Sequence, residues 1–348
     1  METRKIQKVG TATLSVSLPI SWIKKNNLKK GDSLFLEPNK DGSLNIFSNN
    51  SVKSTEQVPE YMCNSDLCDE PKMLQRIIVG NYILGRDLFT INSSKRFRTE
   101  QVNEIRGVLP KLIGLGIVEE TSRSITIQCS VDPRKFQIDL LLRRLSVISL
   151  TVVKEATQAL VESNPSLAKD AISREDEADR MYLLALRLLV SAQRTKQVAE
   201  EIGLKDQLHV LYFGLMLRYL EMISDYGEEI ARRVIELLEK YEDKIPSWVI
   251  ERVGKLNDLA HDLILKSVSC FFTGDIRIAN SMLEVLSVIE LERDKIMKKL
   301  PEIPHLRLIL WNINRIADNG ASIALIAINN SLERKNNICS RQFNKIHK

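Results

Sequence analysis

Polar and apolar positions change period along the chain, and each change marks a different kind of element. Thr11-Ala-Thr-Leu-Ser-Val-Ser-Leu18 alternates polar and apolar, the period of a half-buried strand, and stops at Pro19. A short helical stretch over Ile20 to Asn27 leads to a turn at Leu28-Lys-Lys-Gly31-Asp32 and a strand from Ser33 to Glu37. Asn39-Lys-Asp-Gly42 predicts a hairpin turn, because Asp-Gly accepts the positive φ angles of a tight primed turn, and a strand from Ser43 to Phe47 closes the unit. A piece this small buries little surface by itself, so residues 1–48 are expected to dimerise or dock. Residues 49–72 are polar and acidic without periodicity and read as a linker. Over 73–133 a helix (Met73 to Gly85), a strand (Leu88 to Ile91), a second helix (Thr99 to about Ile113) and a hairpin (Gly116 to Glu120, Arg123 to Ser130) predict a small α/β unit.

Beyond Pro133 the period is helical, and it breaks where proline and glycine fall: Asn164-Pro165, Gly203, Ile245-Pro246, Thr273-Gly274 and Pro301 to Pro304. The breaks predict helices over roughly 136–163, 166–199, 206–242, 247–272, 276–300 and 305–334. Short connections make consecutive helices neighbours, so the fold class is mainly α, with two tandem antiparallel three-helix bundles at 134–243 and 244–334 and a tail at 335–348. The bundles echo one another. Leu220-Glu221-Met-Ile223-Ser-Asp225-Tyr-Gly227 aligns without gaps to Ile313-Asn314-Arg-Ile316-Ala-Asp318-Asn-Gly320, and Glu175/Asp179 answers Glu290/Asp294. Internal duplication is the simplest account.

The repeated positions are acidic. Residues four apart share a helix face, so Glu175/Asp179, Glu221/Asp225 and Glu290/Asp294 each set two carboxylates side by side, which destabilises a helix unless a cation relieves the repulsion. Asp179 and Glu221 lie equally far from the break near Gly203, and Asp294 and Asn314 equally far from the Pro301 to Pro304 turn, so the pairs meet at one height across each hairpin. Oxygen donors so gathered suit a divalent or ferric ion: iron, zinc, manganese or magnesium. In the second bundle Asn314 replaces one acid, which predicts a weaker or empty site. The apolar stripe Phe213, Met216, Leu220, Ile223, Gly227, Ile230 and Val234 marks the core side of its helix, and Glu221 and Asp225 lie round from it toward solvent. That face disfavours a buried di-iron enzyme centre.

Composition narrows the alternatives. Of 348 residues 44% are hydrophobic and 27% charged, as in a globular protein, and no apolar run or leader suits membrane insertion or export, so a cytoplasmic protein is expected. Five scattered cysteines argue against a disulfide framework, and Cys63-x4-Cys68 lacks a second ligand pair for zinc. The four histidines do not cluster, although Asp206-x-x-His209 and Asp258-x-x-His261 have a metal-ligand look. No phosphate-binding loop, nucleophile elbow or dinucleotide fingerprint is present, so no enzyme is expected. The overall charge of +5 is mild, but residues 1–48 carry eight basic against four acidic side chains. Arg4, Lys5, Lys8 and Lys24 belong to that basic edge, which a two-fold dimer would double and could lay along the phosphates of duplex DNA.

Two stretches resemble known families. Lys8-Val9-Gly10, Leu18-Pro19, Trp22, Leu28-Lys-Lys-Gly31-Asp32 and Asp41-Gly-Ser-Leu44 resemble the SpoVT/AbrB domain. The resemblance implies a swapped-hairpin β-barrel that dimerises and binds DNA through positions held here by Arg4, Lys5, Lys8 and Lys24. Glu175/Asp179, Glu221-Met-Ile-Ser-Asp225, Glu290/Asp294 and Asn314-Arg-Ile-Ala-Asp318, with the turns Asn164-Pro-Ser-Leu-Ala168 and Thr273-Gly-Asp-Ile-Arg-Ile-Ala279, resemble the PhoU domain of phosphate-uptake regulators. That resemblance implies metal clusters on the bundle surface, with Glu175, Asp179, Glu221, Asp225, Glu290, Asp294 and Asp318 as ligands. The module order is similar to archaeal PhoU-type regulators, which implies a promoter-binding homodimer that governs phosphate uptake. The alternative is an adaptor that touches a phosphate transporter or sensor protein through the bundles and uses the N-terminal barrel only to dimerise.

Overall fold

The structure is a computed structural model that describes residues 3–11, 13–38, 42–48, 61–204, 207–333 and 338–339. The chain divides into two compact units, Met1–Tyr61 and Met62–Lys348. In the first, β1 (Gln7–Val9) pairs antiparallel with β2 (Thr13–Ser15), Lys8 opposite Leu14. The strand expected over Thr11 to Leu18 is therefore shorter, and Lys8 lies within a strand instead of ahead of it. The reason is Gly10, whose φ of 71° turns the chain back where a side chain would be strained. Helix α1 (Ile20–Lys25) starts after Pro19, whose fixed φ suits an entry to a helix. Strands β3 (Leu34–Pro38) and β4 (Leu44–Ser48) pair Phe35 with Phe47 and Leu36 with Ile46; the turn residues Asn39 to Asp41 lie outside the described residues. None of the unit's described apolar side chains is buried, and Ile6, Val9, Leu14, Phe35, Leu36 and Phe47 are exposed.

The second unit opens with a four-stranded sheet of order β5-β6-β8-β7, built from β5 (Tyr61–Asn64), β6 (Leu88–Asn92), β7 (Leu115–Glu120) and β8 (Ser124–Cys129). Helices α2 (Met73–Ile83) and α3 (Thr99–Val108) complete this α/β part. Residues 61–72, expected within an acidic linker, belong to it. Their polar side chains act as local fasteners: Ser65 Oγ donates to the Asn92 carbonyl at 3.0 Å, Gln101 donates to the Ser65 carbonyl at 3.0 Å, and Asp66 accepts from Ser93 Oγ at 2.7 Å and from the Ser94 amide at 2.9 Å. Helix α3 stops at Val108, short of the expected Ile113, because Pro110 has no N–H to donate, and a 3-10 turn Leu109–Lys111 follows.

The rest is helical: α4 (Ile138–Val161), α5 (Pro165–Arg194), a short α6 (Lys196–Glu201), α7 (Gln207–Tyr241), α8 (Ser247–Thr273), α9 (Ile276–Met297) and α10 (Pro304–Leu332). The predicted breaks carry the caps. Asn164 accepts from the amides of Ser166 and Leu167 ahead of Pro165 at the first helical position, and Asp275 accepts from the Ile278 amide. Helices α4, α5 and α7 pack on one another, as do α8, α9 and α10; α7 against α10 and α4 against α8 join the two bundles. The duplication extends to packing. A Cβ on Gly227 would come within 2.8 Å of Val152 Cγ1, and one on the equivalent Gly320 within 2.5 Å of Leu263 Cδ2, so in each bundle the third helix lies against the first where only a hydrogen fits. The α/β part docks on α5 through Arg187, which is buried, pairs with Asp87 and donates to the Tyr82 carbonyl at 2.6 Å. Arg194 adds a bond to the Leu84 carbonyl at 2.8 Å. Among the described residues no helix is long and apolar enough to cross a membrane.

Candidate functional site

Glu175 and Asp179 stand one turn apart on α5, and Asp225 faces them from α7; each offers an oxygen, all within 4.8 Å of one another. Packing on several sides dries this place. Glu175 is 7% exposed and Glu221, one turn before Asp225, 9%. Burial, and then the charge of Asp179, push the Glu175 carboxyl up to about 8. Burial and then Asp225 push Glu221 up to about 7, against the opposing pull of Arg218. Asp225 is exposed over much of its side chain, yet loss of water at its carboxyl, followed by the charge of Asp179, brings it to about 6. Asp179 is raised too, chiefly by burial. The arrangement is therefore strained as four anions and relaxed by a proton or a metal ion. An all-oxygen donor set of three carboxylates fits a hard or borderline cation, and Glu175, Asp179 and Asp225 are the residues that could hold one.

Glu221 does not lie toward solvent in the way the apolar stripe suggests, whereas Asp225 is exposed as that stripe predicts. That arithmetic assumes one buried face, whereas α7 has α4, α5 and α10 as neighbours, so flank positions are covered as well. Protein cations surround the cluster. Arg218 donates to Glu221 at 2.6 Å, Arg232 holds Glu228 at 2.5 Å, and Lys111, from the 3-10 turn of the α/β part, lies 3.8 Å from Asp176. Arg218 was legible as an i,i+3 partner of Glu221, and Glu228 as an acid on the face of Asp225. Lys111 had no signal in its own neighbourhood, since docking alone brings it there.

In the second bundle the corresponding residues do not converge: among the described residues the three-acid group of the first bundle has no counterpart. Asp294 pairs with Arg293 at 2.8 Å. Asp318 accepts from the Asn314 amide at 3.3 Å and lies 3.6 Å from Arg315. Glu290, half-buried, is left without the others. The remaining candidates also stay apart: Cys63, on β5, accepts from Asn81 at 3.7 Å, neither Cys63 and Cys68 nor Asp258 and His261 enter a metal-spaced group, and Asp206 lies outside the described residues. In the first unit, Arg4 and Lys5 are exposed ahead of β1, Lys8 is exposed on β1, and Lys24 is exposed in the last turn of α1.

Comparison with known proteins agrees with these two regions. Residues 142–234 match the PhoU domain family, and residues 7–48 match the family described as antidote-toxin recognition MazE, bacterial antitoxin. The crystal structure of PhoU from Pseudomonas aeruginosa is similar to 56% of this chain and 94% of its own, at 18% identity and a TM-score of 0.48. No curated protein matches the chain as a relative. The chain thus carries a PhoU domain at residues 142–234 behind a MazE/AbrB-like domain at residues 7–48.

Proposed function

We propose that this protein is a non-enzymatic, cytoplasmic regulator of phosphate homeostasis, in which residues 1–48 dimerise and bind promoter DNA and the PhoU-like bundles carry a metal ion and receive the signal. The observation that carries the reading is the pairing of a MazE/AbrB-like domain with a PhoU domain in one chain. Two features support the first half of it. The first unit leaves Phe35, Leu36, Phe47 and other apolar side chains uncovered, which a second copy would bury, and it sets Lys5, Lys8 and Lys24 in solvent, where phosphates could meet them. In the bundle, Glu175, Asp179 and Asp225 are the proposed metal ligands.

The adaptor reading is favoured by a different observation, the apolar side chains left open on the bundles, with Trp311 60% and Leu211 55% exposed. Fluorescence anisotropy of full-length protein on duplex DNA from upstream of phosphate-transporter genes separates the two. A promoter-binding regulator binds selectively, with affinity that falls steeply with salt. The Arg4/Lys5/Lys8→Ala variant then binds weakly, and its salt slope is smaller by about 0.9 for each phosphate it no longer neutralises. Equal binding to any sequence, or binding that the variant keeps, would remove the promoter role and leave the adaptor.

A further inference from the structure

We infer that the cleft where α4 meets α8, between the two bundles, binds a free α-amino acid with an aromatic side chain. This site is distinct from the metal and DNA readings above, either of which can fail without it.

Lys154, Thr157 and Val161 of α4 and Gly254, Asn257 and Asp258 of α8 line a cleft of about 440 Å3, a size that suits a small-molecule ligand. The duplication explains why it is open. Asn164 and Asp275, which cap the helices after α4 and α8, stand at the same offset as Val152 and Leu263, which meet Gly227 and Gly320, so the two first helices correspond residue by residue. In that correspondence Gly254 answers Arg143, and Val161 answers Phe272. At one end of the contact between the bundles the Arg143 guanidinium lies 3.6 Å over the Phe272 ring and fills the space. At the other end a glycine and a valine hold those two places, and the volume of a guanidinium and a ring is left over.

The floors of the two ends differ in the same sense. At the filled end Val268 is apolar, and Ser146 Oγ donates to the Arg143 carbonyl at 2.7 Å. At the open end their counterparts are Thr157 and Asn257, 2% and 3% exposed, and neither Thr157 Oγ1 nor Asn257 Oδ1 has a hydrogen-bond partner. Buried polar groups are ordinarily paired, so both await a group from solution. At the rim Glu162 accepts from Gln158 at 2.5 Å and Glu251 pairs with Lys255 at 2.6 Å, whereas among the described residues Lys154 and Asp258 pair with no charged side chain.

One molecule supplies everything that is missing. An aromatic ring stands in for that of Phe272 against Val161 and Ile250, a carboxylate meets Lys154 and the Thr157 hydroxyl, and an ammonium meets Asp258 and the Asn257 oxygen. A phosphorylated ligand fits worse, because it would bring its charge to one unpaired lysine beside Glu162, Glu251 and Asp258. One wall of the cleft comes from each bundle, so occupancy ties the bundles together.

Titration calorimetry of full-length protein tests this with L-phenylalanine, phenethylamine, which lacks the carboxylate, and 3-phenylpropanoate, which lacks the ammonium. L-Phenylalanine is expected to bind once per chain at millimolar concentration or below, roughly tenfold tighter than either analogue, the worth of a charge-assisted hydrogen bond. Lys154→Gln should weaken L-phenylalanine by a similar factor and leave phenethylamine unchanged; Asp258→Asn should weaken it likewise and leave 3-phenylpropanoate unchanged. Gly254→Arg/Val161→Phe copies the filled end and should abolish binding, and the two single variants at the exposed rim decide the matter should that one fail to fold. No heat with L-phenylalanine, equal affinity for the three compounds, or binding that survives Gly254→Arg/Val161→Phe would overturn the site and leave the cleft to water.

Discussion

Glu175 shows how a single position links sequence, packing and solution behaviour. Its carboxyl lies near 8 because α5 and α7 strip it of water beside Asp179. An acid raised above its unfolded value of 4.5 favours the fold while protonated, and that contribution is lost as pH climbs through the folded value. Glu221 and Asp225, at about 7 and 6, act in the same direction. Metal-free protein should therefore melt at progressively lower temperature between about pH 5 and pH 8. The groups facing Glu175 are Asp179, Asp225 and Glu228, with Lys111 and Arg218 beyond them. Glu175→Gln should flatten the curve in a thermal melt series; a wild-type slope of opposite sign would mean the carboxylates are charged and compensated by something else. Arg187 is the second position of this kind. Its loss in Arg187→Met leaves the Tyr82 carbonyl with the Gly85 amide as its donor, takes the partner from Asp87, and should cost about 0.5–1.5 kcal/mol in urea unfolding. An unchanged midpoint would show that the α/β part docks by apolar packing alone.

Among the elements, the most informative comparison is between α7 and α10. Both place a glycine against the first helix of their bundle, and in both a methyl group would collide with a buried branched side chain. Gly227→Ala and Gly320→Ala should each destabilise by about 1–3 kcal/mol through overpacking. Because the two lie in different bundles, the double variant should come within about 0.5 kcal/mol of the sum, as read from urea midpoints. Stabilisation by either change, as an alanine ordinarily gives in a helix, would mean the helices can separate at no cost. The sheet teaches the opposite lesson about local reading. Residues 61–72 have the polarity of a linker, yet Ser65 and Asp66 spend that polarity on Asn92, Ser93 and Ser94, residues about 27 positions away.

For the whole molecule, a bound cation should act as any ligand that prefers the native state. At a free Mn2+ concentration a hundred times its dissociation constant, stability should rise by about 2.7 kcal/mol, and the rise should vanish in Asp225→Asn. Calorimetry at matched ionic strength checks this, and an equal rise in the variant would show that the metal acts elsewhere. The exposed apolar residues of the first unit carry an expectation at the same scale. Leu36→Glu/Phe47→Glu should reduce a dimer to monomer in light scattering, whereas a monomeric wild type would remove the second copy from the proposal.

The sequence by itself determined the helices, their breaks and the duplication, because helix periodicity, Asn164-Pro165 and Asp275 are local instructions carried by neighbouring residues. It also held Glu175, Asp179 and Asp225 among seven candidate acids, since i,i+4 spacing is arithmetic along the chain, but equal distance from the turn set Asp179 level with Glu221, which is not one of the three that converge. What it did not contain is the company those acids keep. Burial of Glu221 follows from neighbours on several sides of α7, Lys111 arrives with the docked α/β part, and the reversal at Gly10 shortens a strand that alternation alone would have extended. Charge pairing and solvent exclusion depend on distances between segments far apart in sequence. Only the tertiary structure decided which carboxylates are met by arginine or lysine and which three converge.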